Sequence, residues 1–185
     1  LMLGIQAQFV LLRSPIPSQV EDVVRYVDIS LNSELSVLEA LSRSALARDT
    51  KHKVILMVEL GDLREGIMPS DLLDTVGAVL DMDGIELVGI GANLACFGGI
   101  RPDDEKMESL SSLAGVIEER SGRVLEFVSG GNTANYSWFT STDDVGRINN
   151  LRLGESIYQG TESLHREIIP GQFTDAFTLV AEVIE

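Results

Sequence analysis

Short apolar runs along the chain alternate with segments in which apolar residues recur every three or four positions. Lys53–Leu60 (KVILMVEL) is almost continuously apolar, which is typical of a strand buried on both faces of a parallel sheet. The segment 20–27 instead carries valines at positions 20, 23, 24 and 27, the stripe of a helix with one buried face. The pattern predicts strands at Ala7–Arg13, Asp28–Asn32, Lys53–Leu60, Ile85–Leu94, Val124–Val128, Asn150–Leu153 and Phe177–Ile184.

Helices are predicted in the intervals between these strands. Ser18 and Glu21 have the spacing of a capping box for the first helix, and Ser33 is predicted to cap the second. Strand and helix alternate at a spacing of about 30 residues, which indicates parallel βαβ units.

Polar, glycine-rich segments follow four of the predicted strands. They are Gly61-Asp62, Gly91-Ala92-Asn93, Ser129-Gly130-Gly131 and Gly154-Glu155. In a (β/α)8 barrel the C-terminal strand ends form the active-site face. An open doubly wound sheet gives the same alternation, but the sequence has no G-x-G-x-x-G fingerprint and its polar segments are spread over four strand ends.

The predicted fold class is therefore α/β, a partial (β/α)8 TIM-type barrel. Six barrel strands in a chain of 185 residues fall short of the eight strands and about 250 residues of a complete barrel. We expect a barrel portion at residues 1–160, followed at 161–185 by a tail and a strand leading toward a C-terminal segment. The opening Leu1-Met2-Leu3 is taken as a sign that the chain is a piece of a longer protein.

Composition narrows the possible partners. The chain has 14 basic and 29 acidic residues, a formal charge of −15, and its basic residues are not clustered, so no nucleic-acid partner is expected. Its apolar runs stay well below the roughly 18 residues of a membrane span, so no membrane partner is expected either. A single cysteine, Cys96, excludes an internal disulfide and favours a reducing compartment, the cytoplasm. Cys96 itself is interpreted as a packing residue, and no metal site is expected because His52 and His165 lack ligand spacing.

Three segments carry candidate chemistry. Val58–Gly66 (VELGDLREG) places four charged side chains at the end of a buried strand, with a solvated loop as the alternative interpretation. Ser129–Thr133 (SGGNT) combines glycines, hydroxyls and a following helical stretch, a pattern that favours an anion. Asn149–Glu155 (NNLRLGE) puts Arg152 inside a strand facing a packed barrel, where an arginine is costly unless it meets an acceptor.

Taken in order, VELGDLREG, VGIGANLACFGG, SGGNT and NNLRLGE resemble the barrel domain of the alanine racemase family of fold-type III pyridoxal-phosphate enzymes. The similarity extends over Leu11 to Glu155 and is strongest to the ornithine/alanine racemase-like branch. It implies that the strands are the third to eighth of the barrel, without the first two βα units. The Schiff-base lysine of the family ends the first strand, and none of Lys51, Lys53 and Lys106 occupies such a place.

The resemblance also implies roles for individual residues. Arg152 aligns with the arginine that faces the pyridine nitrogen, and Arg64 aligns with the arginine that reaches toward the cofactor's phenolic oxygen and the substrate carboxylate. Asn93 stands where many alanine racemases have a histidine beside the ring, and Met57 stands where some carry a modified lysine. The phosphate is expected to lie against Ser129, Gly131, Thr133, Gly154 and Glu155.

The resemblance implies a pyridoxal 5'-phosphate-dependent racemase acting on a free amino acid, and a homodimer as the full-length protein. Ornithine is predicted over alanine because Glu59, Asp62 and Glu65 surround Arg64, although these acids could also be solvated or pair with Arg64. One alternative is a non-catalytic pyridoxal-phosphate-binding protein of the related single-domain barrel family. Another is a phosphate-binding barrel enzyme without pyridoxal.

Overall fold

Six parallel strands form one sheet in the order of the chain, each paired in parallel with the next. The structure, a computed structural model, describes residue 4 and residues 6–95 and 99–183. The sheet curls into part of a barrel with the helices on its outside, so the predicted fold class is confirmed. Its strands are Val10–Leu11 (β1), Ile29–Asn32 (β2), His52–Val58 (β3), Ile85–Ala92 (β4), Phe127–Asn132 (β5) and Asn150–Arg152 (β6).

The helices follow their strands as βαβ connections require. Pro69 opens its helix at the first position, where its missing N–H costs nothing. The helix that starts at Asp104 is capped by Asp103, which accepts from the Lys106 N–H at 2.9 Å. The helices are Val20–Tyr26 (α1), Leu35–Leu46 (α2), Pro69–Leu80 (α3), Asp104–Ser121 (α4), Tyr136–Ser141 (α5) and Glu155–Gln159 (α6). In the described residues no helix is both long and apolar enough to cross a membrane.

The predicted caps at Ser18 and Ser33 are wrong. Pro17–Gln19 forms a 3-10 turn before α1, so Ser18 lies inside a turn and its side chain does not cap the helix. Glu34, with an extended backbone, precedes α2 and also provides no side-chain cap.

Alternate residues of β3 pack into two different apolar layers. Ile55 and Met57 join Ile29, Leu31 and Val88 in a cluster on the inner face of the sheet. The intervening residues of β3 pack outward against the helices. Both faces of β3 are therefore buried, which is the physical reason for its almost continuous apolar sequence.

A buried polar group lies between β2 and β3. The His52 ring nitrogen Nε2 is 2.8 Å from the Ser30 hydroxyl, which also accepts from the Asn32 amide at 2.9 Å. Burial lowers the pKa of His52 to about 4, against a smaller raising effect of Asp28. His52 is therefore a neutral structural residue near pH 7, and the described residues contain no cluster of potential metal ligands.

Two strand predictions are corrected by the structure. β5 starts at Phe127 and runs to Asn132, so Ser129-Gly130-Gly131 lies within a strand and not in a loop after it. A side chain at position 130 would meet Ile148 at 2.8 Å, so glycine here allows close packing behind the strand. The predicted last strand is wrong over residues 177–183, which have no regular structure and expose Leu179 and Val180.

Candidate functional site

A cavity of about 490 Å³ opens at the C-terminal ends of the strands. This is the face that carries active sites in (β/α)8 barrels. Six of the eight predicted site residues line it: Arg64, Asn93, Thr133, Arg152, Gly154 and Glu155. The structure therefore brings together side chains that are up to 91 positions apart in the sequence.

Arg152 is held at the end of β6 by acceptors from two other strands. Its Nη1 donates to the Ser129 hydroxyl at 2.6 Å and its Nη2 donates to the Ala92 carbonyl at 2.8 Å. A longer contact of 3.5 Å joins Nη2 to the Asn93 side-chain oxygen. The prediction that Arg152 meets an acceptor is confirmed, and its cation is fixed in the cavity wall.

Glycines in β4 make this arrangement possible. A side chain at Gly89 would collide with the Phe127 carbonyl, and one at Gly91 would press on Ser129 at 3.1 Å. Without those side chains, β5 packs closely enough for Ser129 to reach Arg152. Ser129 also donates to the Asn150 side-chain oxygen at 2.6 Å, so its hydroxyl is committed to positioning the arginine.

Hydroxyls and backbone amides meet at one corner of the cavity. The Thr133 hydroxyl accepts from the Gly154 N–H at 3.2 Å and from the Ser156 N–H at 3.5 Å. Ser156 is 5% exposed, and its buried hydroxyl has no hydrogen-bond partner among the described residues. Gly131, two residues before Thr133, has φ +145°, and a side chain at this position would collide with the Asn135 side chain. An unmet buried hydroxyl next to convergent donors fits a polar, anionic ligand.

The loop after β3 is built on two buried carboxylates. One oxygen of Glu59 accepts from the N–H groups of Gly61 and Leu63, the latter at 3.1 Å. Asp62 is 1% exposed and accepts from the Asn93 amide at 3.2 Å. The interpretation of this segment as a solvated loop is therefore wrong for Glu59 and Asp62. Arg64 and Glu65 of the same loop line the cavity.

Gly66 returns this loop to the strand. A side chain at this position, where φ is +147°, would lie 2.5 Å from the Glu59 nitrogen. Ile67 then exchanges backbone hydrogen bonds with β3, donating to the Met57 carbonyl at 2.8 Å and accepting from Glu59 at 2.9 Å. The segment that carries Arg64 is thus fixed to the barrel at both ends.

Sequence reasoning missed a second loop, residues 161–168, which brings Ser163 and Arg166 into the cavity wall. Glu162 organises it by accepting from the N–H groups of Leu164 at 2.7 Å, His165 at 2.6 Å and Glu167 at 3.1 Å. Burial raises the pKa of Glu162, but these backbone hydrogen bonds outweigh that effect and lower it below its usual value. The available signal was a glutamate placed just before several polar residues, which is weak.

Arg166 connects the 161–168 loop to the cavity. Its backbone adopts φ +61°, and its Nη1 lies 2.9 Å from Oε1 of Glu155. That oxygen is buried and accepts no well-aligned hydrogen bond, so the contact is a pairing of charges.

The three lysines of the sequence lie outside the cavity. Lys53 pairs with Glu126 at 3.5 Å near the beginning of β3, at the opposite end of the strand from the site. Lys106 pairs with Asp103 at the start of α4, and Lys51 precedes β3. Cys96, predicted to be a packing residue, lies outside the described residues.

Comparison with known proteins relates this chain to amino-acid racemases. Residues 2–162 match the family model described as the alanine racemase N-terminal domain. The chain is 39% identical to an ornithine racemase from Acetoanaerobium sticklandii over 95% of its length and 50% of that protein. It is 34% identical to a lysine racemase from Thermotoga maritima over 98% of its length and 51% of that protein.

The chain therefore spans about half the length of these curated relatives. Among solved structures it is similar to PipY of Synechococcus elongatus with pyridoxal phosphate bound, with a TM-score of 0.65 and 16% identity. That match covers 83% of this chain and 71% of PipY. At this level of identity the likeness concerns the fold alone.

Proposed function

Because this chain belongs to the alanine racemase N-terminal domain family, we propose that its protein is a pyridoxal-phosphate-dependent racemase of basic amino acids. The observation that carries the proposal is Arg152, a cation fixed in the cavity by Ser129 and the Ala92 carbonyl. The two curated relatives, an ornithine and a lysine racemase, support the substrate class.

The residues of the cavity fit the cofactor chemically. The Thr133 hydroxyl, which is held in place by the Gly154 N–H, and the unpartnered Ser156 hydroxyl are donors suited to a phosphate ester. Gly131 and the backbone of Glu155 belong to the same corner in our assignment, while Ser129 acts through Arg152. Pyridoxal phosphate supplies the electron-withdrawing ring that makes the substrate Cα–H acidic.

With pyridoxal phosphate bound, Arg152 would hold the pyridine nitrogen by donating a hydrogen bond to it. A guanidinium does not give up its proton at working pH, so the ring nitrogen stays unprotonated. Asn93, which is oriented by its hydrogen bonds with Asp62 and Asn132, would support the ring from its side. Arg64 holds the substrate carboxylate from the loop after β3.

The three acidic residues near Arg64 have different surroundings. Glu59 and Asp62 hold the loop and Asn93 in place, which leaves Glu65 as the one of the three that lines the cavity. We propose that Glu65 accepts the side-chain ammonium of the substrate. A charge-assisted hydrogen bond of about 1.5–3 kcal/mol corresponds to a preference over alanine of about tenfold to a hundredfold.

The placement of the lysines supports a proposal about the chain itself. Since Lys51, Lys53 and Lys106 lie outside the cavity, we propose that these 185 residues alone do not racemise amino acids. We further propose that residues 1–160 form the barrel portion and residues 161–185 a tail, and that the full-length protein is a homodimer. We also propose a cytoplasmic location, which the single cysteine supports.

The alternative is a protein that binds pyridoxal phosphate without catalysis, and PipY supports it through the fold alone. Relatives of about twice this chain's length favour the racemase.

The full protein should be supplied with pyridoxal phosphate and tested on L-ornithine, L-lysine and L-alanine by chiral chromatography. Racemisation of the basic amino acids with a higher kcat/KM than alanine is expected. Cofactor binding without racemisation would favour the alternative, and an equal or higher kcat/KM for alanine would contradict the substrate class.

Arg152→Met provides the matched test of the site. Loss of the fixed cation at the ring nitrogen is expected to lower kcat by about 10²–10³-fold. Arg147, which pairs with Glu118 outside the cavity, is the control, and Arg147→Met should leave kcat unchanged in protein that remains folded. Unchanged rates and cofactor absorbance in Arg152→Met would remove Arg152 from the site.

A further inference from the structure

The corner of the cavity that we assign to the phosphate, formed by Thr133 and Gly154, also contains the carboxylate of Glu155. Glu155 lines the cavity between Gly154 and Ser156, the two residues whose N–H groups point to the Thr133 hydroxyl. A phosphate ester at this corner brings up to two negative charges close to the Glu155 carboxylate. Two like charges placed so close together repel each other unless a cation compensates them.

Arg166 is the cation placed against this carboxylate. Its Nη1 lies 2.9 Å from Glu155 Oε1, and both side chains line the same cavity. A guanidinium carries several N–H donors. Because the contact with Glu155 is made through Nη1, other donors of Arg166 can reach a phosphate.

The loop presents Arg166 in a prepared geometry. Three backbone N–H groups converge on Glu162, and Thr161 and Ile168 form a bridge that closes the loop. The left-handed backbone of Arg166, at φ +61°, turns it toward Glu155. Such a conformation is uncommon in a residue other than glycine, and here the loop contacts maintain it.

We propose that Arg166 is a phosphate-binding residue that also neutralises Glu155, so that the 161–168 loop helps to retain the cofactor. This inference rests on the proposed function, because it takes pyridoxal phosphate as the ligand. A second observation comes from Ser156, which follows Glu155 in the chain but does not itself line the cavity. Ser156 is 5% exposed and its hydroxyl has no partner in the described structure, so an unmet hydrogen-bond donor lies next to Glu155.

Paired ligands provide the test. Binding of pyridoxal 5'-phosphate, of pyridoxal and of inorganic phosphate is measured by calorimetry on the wild-type protein and its variants. Arg166→Met should weaken pyridoxal 5'-phosphate and phosphate binding by about twofold to fivefold, as for a largely exposed charge-assisted contact. Pyridoxal, which lacks the phosphate, should bind as before. Arg43→Met removes an arginine from an exposed ion pair with Glu39 on α2 and is the control that should change none of the three.

Two further variants keep the inference testable if Arg166→Met does not fold. Arg166→Lys preserves the charge and should retain most of the affinity. Glu155→Gln removes the repelling carboxylate and should bind pyridoxal 5'-phosphate at least as tightly as wild type. Equal effects of Arg166→Met on both pyridoxal compounds, or weaker phosphate binding in Glu155→Gln, would overturn the assignment. A wild-type protein that binds none of the ligands would instead contradict the proposed function.

Discussion

Two loops bring an arginine to the cavity, and they are built alike. The loop after β3 and the 161–168 loop are each organised by a buried glutamate, Glu59 or Glu162, that accepts backbone N–H groups. Each also has a residue other than glycine with positive φ, Leu63 at +56° and Arg166 at +61°.

The loops differ in how they are attached. The loop after β3 returns to its own strand through Ile67 and is tied to Asn93 by Asp62. The 161–168 loop closes on itself between Thr161 and Ile168 and reaches the cavity through Ser163 and Arg166. A loop fixed to the barrel can hold a catalytic group within the narrow tolerance that catalysis needs, whereas a self-closed loop is better suited to binding.

The largest expected difference concerns the two arginines. Arg64→Met should reduce kcat/KM of the full protein by about 10²–10³-fold, because it removes a positioned cation from the reacting end of the substrate. Arg166→Met should reduce it by about tenfold or less at low cofactor concentration, and saturating cofactor should restore the rate. Steady-state kinetics at several cofactor concentrations measures both. If saturating cofactor does not restore kcat/KM in Arg166→Met, Arg166 does not act through cofactor binding alone and the proposed difference between the two arginines is wrong.

Replacing Glu59 should destabilise the whole fold, whereas replacing Glu162 should destabilise only its own loop. Glu59→Ala removes a buried acceptor from two partly buried N–H groups at the barrel and should lower the free energy of unfolding by about 1–3 kcal/mol. Glu162→Ala should leave global unfolding nearly unchanged and open residues 161–168 locally. Urea denaturation measures the first effect, and hydrogen exchange at Leu164 and Glu167 measures the second. Global destabilisation of similar size in both variants would show that the loops are equally integrated.

Acid should release the 161–168 loop. The pKa of Glu162 lies below its usual value of 4.5, because hydrogen bonds from Glu167, Leu164 and His165 outweigh the raising effect of burial. The carboxylate therefore stabilises the loop fully above about pH 4.5, and this contribution is lost as the pH falls through the lowered pKa. The amide chemical shifts of Leu164 and Glu167 should report this titration, and Glu162→Gln should abolish it. A transition centred above pH 4.5 would contradict the assignment.

The smallest expected effect is a gain in stability. Leu63 is 72% exposed and has φ +56°, so Leu63→Gly relieves an unfavourable backbone without losing much buried surface. The expected stabilisation is about 0.5–1 kcal/mol. Asp49→Gly, at φ +54° and outside the cavity, is the matched control for the backbone effect alone. Thermal denaturation measures both, and destabilisation confined to Leu63→Gly would show that its side chain supports the loop after β3.

The central fold could be predicted because its signals are local. The apolar runs gave β2, β3 and β4 to within a few residues, and the cost of a buried guanidinium predicted acceptors for Arg152. β5 was displaced in the prediction because glycines carry little strand propensity. Contacts with Ile148, which lies far along the chain, explain why glycine is nevertheless present in that strand.

The remaining part of the site depends on contacts that a sequence pattern does not display. The burial of Glu59 and Asp62 follows from backbone donors within a single turn and from Asn93, 31 residues after Asp62. The role of the 161–168 loop follows from one ion pair between Arg166 and Glu155. Charged residues in a glycine-containing segment are usually solvated, so their pattern alone predicts the opposite of what the structure shows here.

The bonds of Arg152 also have a consequence for folding. They join β6 to the Ala92 carbonyl and to Ser129, over sequence separations of 60 and 23 residues. Contacts of such separation form late, after the intervening chain has been closed into loops. The arginine therefore reaches its final geometry only when β4, β5 and β6 are assembled together. A refolding experiment should recover cofactor affinity in the same kinetic phase as the closing of this part of the sheet, with no cofactor-binding species preceding it.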